Sequence, residues 1–352
     1  MKTKPVFKKA LMALAIGLLI PCIATSAFAQ ESARNNYIPA TISPEAQKVL
    51  AAIYASKGYE RKVPAVDDIK GWRKEHAALE LAAKPKNDKA VEVSKVTVAD
   101  ANMGGVPVLD IRPNDWKDNR KVLVYTHGGA YTLFSARSTL ISSAVMSRAT
   151  GLRVISIDYT NPPFARWQQI QEQVNSVFKA LLAEGYTMKD IALYGDSAGG
   201  GLATSTVLNL RDRGMGMPAA VVLWSPWVDL TNAGDTANTL AYTDPMLHYD
   251  PVLKNSALAF ANGVALTDPR VSPLYADFSK GFSPALITDG TKCIFLSTSV
   301  RLYQALEAAG QPVKLDITEG MWHVYQQIPM PESDVVIKKS ADFINKHLGL
   351  VK

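Results

Sequence analysis

Cysteine is almost missing from this chain. Two occur in 352 residues, Cys22 and Cys293, and Cys22 lies in a segment expected to be removed. An internal disulfide in the processed chain is excluded, so the fold must be held by its core. Histidine is sparse too, at five residues, and the sequence has neither an HExxH pattern nor paired cysteines, so it points to no metal site. No apolar run is long enough for a stable membrane span, because the longest, Ala10 to Ile20, falls short of the ~20 residues required. A strong charge of one sign is missing as well. Four of the 38 lysines and arginines lie in the leader, so 34 remain against 32 acids, a net charge near +2. That balance makes no case for nucleic acid or an anionic membrane as partner.

What is present begins with the leader itself. Lys2, Lys4, Lys8 and Lys9 precede the apolar run, and Ala27-Phe28-Ala29 follows it. This is the order of a secretory signal, so residues 1–29 are expected to be cleaved and the product to be periplasmic or secreted. A lipoprotein signal with Cys22 as the lipidated residue is the competing reading, which Pro21 directly before it disfavours. About 320 residues remain, enough for one large α/β domain carrying a cap.

Apolar residues at three- and four-residue spacing predict helices over Glu45 to Ser56 and Asp67 to Ala82. The stretch Lys84 to Lys89 reads as a solvated linker. The pattern then changes to β-branched runs: Val91 to Val98, Val106 to Ile111, Lys121 to Thr126, Leu152 to Ile157, Ile191 to Tyr194, Ala219 to Trp224, Ala285 to Thr288 and Val313 to Ile317. Helix-like segments separate the later ones: Ser138 to Ala149, Trp167 to Glu184, Ala198 to Arg211, Ser299 to Ala309 and Ser333 to His347. Alternating strand and helix implies a mainly parallel sheet flanked by helices. The first two strands lack an intervening helix and are expected to form an antiparallel edge. Residues 30–90 read as an N-terminal helical cap segment and 91–352 as the main α/β domain. Residues 229–268, which fit the alternation poorly, read as a possible cap insertion. A cap at the carboxyl ends of the strands would shape a ligand pocket.

Three loop motifs carry chemistry. Gly195-Asp196-Ser197-Ala198-Gly199 follows one strand and opens a helix. A serine on so sharp a turn needs small neighbours two positions away, and its hydroxyl then stands clear at the top of the sheet. His127-Gly128-Gly129-Ala130 ends another strand, where glycines let backbone N–H groups face a developing oxyanion. The expected donors come from Gly128, Gly129 and Ala130, with Ala198 after the nucleophile. His127 itself reads as a loop-orienting residue. Gly320-Met321-Trp322-His323 follows the last strand, which places His323 as the general base for Ser197. His76 and His347 read as solvated helix residues, and His248 as a candidate pocket residue. Trp322, Tyr325, Tyr131, Phe134 and Trp227 are candidates for an apolar acyl pocket or for plain core. Asp196, Asp158, Asp229 and Asp268 read as structural carboxylates that hold loops.

The combination resembles the hormone-sensitive-lipase-like branch of the α/β-hydrolases, which includes bacterial esterases and lactone hydrolases. The matching residues are those three motifs with Asp158-Tyr159, Ser225-Pro226-Trp227-Val228-Asp229-Leu230 and Asp268-Pro269-Arg270-Val271-Ser272-Pro273-Leu274. They run from about residue 120 to the end. The resemblance implies an α/β-hydrolase fold with an N-terminal cap, Ser197 as nucleophile, His323 as base, and short-acyl esters as substrates. No cofactor is implied. The segment Thr160-Asn161-Pro162-Pro163-Phe164 departs from the Ala-Pro-Glu-like run that the branch tends to show. A second departure bears on the mechanism. After the strand Ala285 to Thr288 the branch carries Gly, two residues, then Asp or Glu, whereas here Gly290-Thr291-Lys292 leads to Cys293. Three readings of the missing acid stand open: Asp289 swings toward His323, Cys293 serves as thiolate or sulfinate, or no acid acts. The expected function is hydrolysis of small carboxylic esters or lactones. The alternative is a degraded hydrolase that binds a small ligand.

Overall fold

The computed structural model describes residues 35–56 and 62–351, so the leader and Cys22 lie outside the described residues. Helices α1 (Pro44–Ser56) and α2 (Ile69–Ser94) come first. The antiparallel pair β1 (Val96–Met103) and β2 (Val106–Pro113) follows, then β3 (Val122–Thr126), α3 (Leu140–Thr150), β4 (Arg153–Ile157) and α4 (Trp167–Ala183). The chain continues through β5 (Ile191–Asp196), α5 (Ala198–Asp212), β6 (Ala220–Trp224), a short α6 (Asp235–Thr239) and α7 (Lys254–Ala261). It closes with β7 (Ala285–Gly290), α8 (Leu296–Ala308), β8 (Val313–Thr318) and α9 (Pro331–His347).

The strands form one eight-stranded sheet in the order β1-β2-β4-β3-β5-β6-β7-β8. All pairings from β4 to β8 are parallel, and the two that involve β2 are antiparallel, as the absent crossover helix implied. The strands alternate between two cores. Val122, Val124, Val221 and Leu223 face one, with α4 and α5, while Leu123, Tyr125, Val222 and Trp224 face the other, with α3 and α9. A sheet buried on both faces explains why these strands read as unbroken apolar runs.

Two sequence expectations fail at the same place. The stretch Lys84 to Lys89 is helix, not linker, and the strand expected from Val91 begins only at Val96. Charge made the segment look solvated, yet its charges pair along the helix: Lys84 with Asp88 at 2.6 Å, and Lys89 with Glu92 at 2.9 Å. Asn87 supplies the tertiary reason. Its buried amide donates to the Arg137 and Ser138 carbonyls, and its oxygen accepts from the Ile141 N–H, docking α2 on the start of α3. Lys95, in the left-handed region at φ 52°, then ends the helix and turns the chain into β1.

The crossovers from β3 leave in opposite directions, to β4 on one side and eventually to β5 on the other. Such a switch point opens a crevice at the carboxyl ends of the strands. The register sets Thr126 beside Gly195, Asp196 beside Trp224, Trp224 beside Thr288, and Gly290 beside Thr318. All the loops that follow these residues therefore gather at one rim.

Candidate active site

Ser197 sits between β5 and α5 with φ 54° and ψ −124°, a conformation that a side-chain-bearing residue adopts only under constraint. The constraint is visible on both sides. A Cβ on Gly195 would collide with the Gly199 carbonyl, and one on Gly199 with the Thr126 carbonyl. Backbone bonds clamp the bend: Ser197 N–H donates to the Trp224 carbonyl at 2.9 Å, and the Ser197 carbonyl accepts from Trp227 N–H at 2.8 Å. The turn thus needs its glycines for steric reasons, as the sequence indicated.

The 127–134 loop crosses beside it. Gly129, Ala130 and Tyr131 all have positive φ, at 117°, 52° and 64°. Among the described residues, the N–H groups of Gly129, Ala130 and Ala198 enter no hydrogen bond. That of Ala198 is free because the first turn of a helix has no carbonyl to bond. Gly128 differs from expectation. Its N–H donates to Asp196 Oδ1 at 3.2 Å, which removes it from the donor set. Asp196 also accepts from the Tyr125 hydroxyl, and burial pushes its carboxyl up to about 6. His127 is buried, stacked on Tyr159 with centroids 4.0 Å apart, and bonded through Nδ1 to the Gly128 carbonyl. It orients the loop.

His323 lies 7% exposed after β8. Two contacts place its loop: Lys292 N–H donates to the Met321 carbonyl at 2.8 Å, and Gly320 N–H donates to Thr291 Oγ1 at 2.8 Å. The loop is thereby stitched to the turn after β7. Val324 N–H donates to Ser225 Oγ at 3.2 Å, and the Phe295 ring meets the imidazole edge-on at 5.0 Å. Burial pulls the imidazole down to about 3, so the ring is neutral in the ordinary range and able to accept a proton.

Cys293 Sγ stands 3.4 Å from His323 Nδ1. Asp289 does not swing toward the ring. One of its oxygens accepts from Gly290 N–H at 2.9 Å and the other from Ser299 Oγ at 2.7 Å, since the end of β7 aims the side chain at α8. Burial, then the nearby Asp289 and Asp244 carboxylates, push the Cys293 thiol well above its ordinary range, which favours the S–H form over the thiolate.

Ser197, His323 and Gly128 to Ala130 line one cavity of about 430 Å³. Its walls come from Ala83, Lys86 and Asn87 on α2, and from Met246, Leu247, His248 and Leu253 before α7. These wall residues escaped sequence reading, apart from His248, because no local pattern marks them. Trp322 and Phe134 line the cavity, whereas Tyr131, Tyr325 and Trp227 are core: Tyr131 stacks on Phe260 at 3.7 Å and Trp227 on Phe295 at 5.6 Å. His76 is half-buried rather than solvated, since its ring reaches the Thr132 carbonyl at 2.7 Å. Asp158, Asp229 and Asp268 hold loops through Ala136 N–H, Thr231 N–H and Arg270. A larger groove of about 640 Å³ runs along α4 and α5, and its arginines Arg211, Arg213 and Arg270 pair with Asp212, Glu172 and Asp268. Among the described residues no cluster of His, Cys, Asp and Glu gathers to hold a metal ion, and no helix is long and apolar enough to cross a membrane.

Comparison with known proteins agrees with this architecture. Residues 123–327 match the family described as the alpha/beta hydrolase fold. The chain is 32% identical over 275 residues to the LipR protein of Mycobacterium tuberculosis, covering 76% of this chain and 85% of that one. It is 31% identical over 236 residues to an acetyl-hydrolase of Streptomyces hygroscopicus, covering 66% and 78%. Among solved structures, an esterase from the bacterial hormone-sensitive lipase family superposes with a TM-score of 0.76 at 30% identity, over 88% of this chain and 99% of that chain. The chain therefore belongs to the α/β-hydrolase family, in its hormone-sensitive-lipase-like branch.

Proposed function

We propose that this protein hydrolyses small carboxylic esters through an acyl-enzyme on Ser197. One observation carries the reading: Ser197 on its strained turn, the neutral His323 imidazole and the loop with unbonded N–H groups open into one cavity. Relatives named acetyl-hydrolase and esterase support it. In this reading His323 takes the Ser197 proton as the oxygen attacks the acyl carbon. The Gly129, Ala130 and Ala198 N–H groups receive the oxyanion, and His323 returns the proton to the departing alcohol. Water then repeats the sequence and frees the acid. A mostly apolar wall formed by Leu133, Phe134, Ile141, Met246, Leu247 and Ile328 favours uncharged acyl groups. The segments read as the cap, 30–90 and 229–268, carry the α2 residues and the stretch before α7 that shape this wall, and export with cleavage after Ala29 delivers the protein to the periplasm or beyond.

The test is activity on short p-nitrophenyl esters and labelling by a fluorophosphonate. The wild type is expected to react in both, and Ser197→Ala in neither. A folded wild type that binds a small ester without turnover, its serine unlabelled, would establish the second reading. That reading is a binding protein descended from a hydrolase, and the thiol at the acid position is what favours it.

A further inference from the structure

The stretch 84–92 of α2 carries three lysines, and one of them differs from the others. Lys84 pairs with Asp88 and Lys89 with Glu92, in contacts well exposed to solvent. Lys86 has Ala82, Ala83, Lys89 and Ala90 three and four residues away, so no acid reaches it along the helix. It shares a face with Ala83, Asn87 and Ala90, and Asn87 and Ala90 are buried, so this is the face that α2 turns toward the protein. Asn87 fixes that face against the start of α3 through the Arg137 and Ser138 carbonyls and the Ile141 N–H. Ala83, Lys86 and Asn87 thereby line the cavity that holds Ser197 and His323.

Among the described residues that line this cavity, Lys86 is the one lysine or arginine, and its ammonium enters no hydrogen bond or ion pair with a described residue. The acid that lines the cavity, Asp196, is buried and already accepts from Tyr125 and from Gly128 N–H. The other titratable groups there are His248, edge-on to Tyr242, and His323. Lys86 remains open to solvent, yet the protein around it pulls its ammonium below the ordinary lysine value. A cation held in a concave wall without a counter-ion attracts an anion there more strongly than a lysine on a flat surface does. We propose that Lys86 selects esters whose alcohol part carries an anionic group. This rests on the hydrolase reading above and names its substrate class. The apolar wall takes the acyl chain, so the charge belongs to the alcohol. A single ammonium reads charge rather than planar geometry, which defines the class by its charge. The ion pair forms on binding and breaks when the alcohol departs. It is as strong in the ground state as in the transition state, so its effect falls on KM more than on kcat.

Two esters that differ in that charge test the selection on the full enzyme: 4-(butyryloxy)benzoate and the neutral 4-(butyryloxy)benzamide, with rates normalised to fluorophosphonate-reactive serine. Lys86→Met is expected to lower kcat/KM for the carboxylate about 5- to 20-fold, mainly through KM, and for the amide by about twofold at most. Lys86→Arg, which keeps the charge, is expected to retain most of the selection, and Lys86→Glu to weaken use of the carboxylate further. Raising the salt from about 0.05 to about 0.5 M is expected to reduce the wild type's relative rate on the carboxylate and to leave that of Lys86→Met in place. A wall residue acting by shape alone would move both esters together and would not respond to salt. Equal losses on the two esters, no loss on the carboxylate, or a selection indifferent to salt would overturn the proposal. Ser197 labelling and cleavage of the amide would still stand in those cases. A wild type that cleaves neither ester, its serine unlabelled, would instead remove the hydrolase reading. Calorimetric binding of 4-(butyryloxy)benzoate, weakened in Lys86→Met, would then still support the anion site, and binding indifferent to the substitution would overturn it.

Discussion

Gly128 N–H donates to the Asp196 carboxylate at 3.2 Å, and through that bond the two glycine-bearing loops of the site hold each other. The same oxygen accepts from Tyr125, and Gln327 Nε2 lies 3.4 Å from the other. Asp196 directly precedes Ser197 and bonds the 127–134 loop, so whatever disturbs it reaches both. Asp196→Ala leaves a backbone N–H and a tyrosine hydroxyl buried without partners, each at about 1–3 kcal/mol. The expected result is a loss of roughly 2–4 kcal/mol in urea unfolding, with kcat/KM falling about tenfold or more in the protein that remains folded. A variant with unchanged kcat/KM would mean that the loop keeps its shape without this bond.

Gly129 has φ 117°, and a Cβ there would collide with the Leu133 carbonyl. Alanine at this position must rotate the peptide whose N–H is free to receive the oxyanion. Gly129→Ala is therefore expected to lower kcat by about 10²- to 10³-fold, with KM changed much less, because the lost bond is made mainly in the transition state. Steady-state kinetics on a short acyl ester decides this. A rise in KM alone would place the residue in the pocket wall instead.

Asp244 joins the cavity wall to the turn that carries Cys293. Its oxygens accept from Met246 and Leu247 N–H on one side and Ile294 N–H on the other. Burial nevertheless pushes its carboxyl up to about 7. The folded state then prefers the protonated form more than the unfolded state does. Its contribution to stability is full below about pH 4 and is lost as pH rises through 7. The wild type is expected to lose stability relative to Asp244→Asn between about pH 4 and 7, by at most about 1.4 kcal/mol per pH unit, and to lose no more above that. Urea titrations of both proteins across that range measure the difference. A difference constant with pH would show that the three N–H bonds hold the carboxylate ionised throughout.

Much of this molecule was legible before folding. Continuous runs such as Ala220 to Trp224 announced a sheet covered on both faces, and the missing helix between β1 and β2 announced the antiparallel edge. The serine turn and the positions of His127 and His323 could be read because steric demand at a bend falls on neighbouring residues, which a linear sequence records. Chain order alone set Ser197 and His323 at strand ends.

Tertiary contacts decided the rest. Asn87 makes a helix of a stretch whose charges read as linker, and its partners lie about 50 residues away at Arg137 and Ser138. The cavity wall draws on α2 and on the segment before α7, which share no local pattern with the motifs. Cys293 could be named from its position, but its relation to the imidazole, to Asp289 and to Asp244 depends on side-chain direction and burial. These arise only when β7, β8 and their loops are packed together, because distance and dielectric, rather than spacing along the chain, set how a buried charge acts on its neighbours.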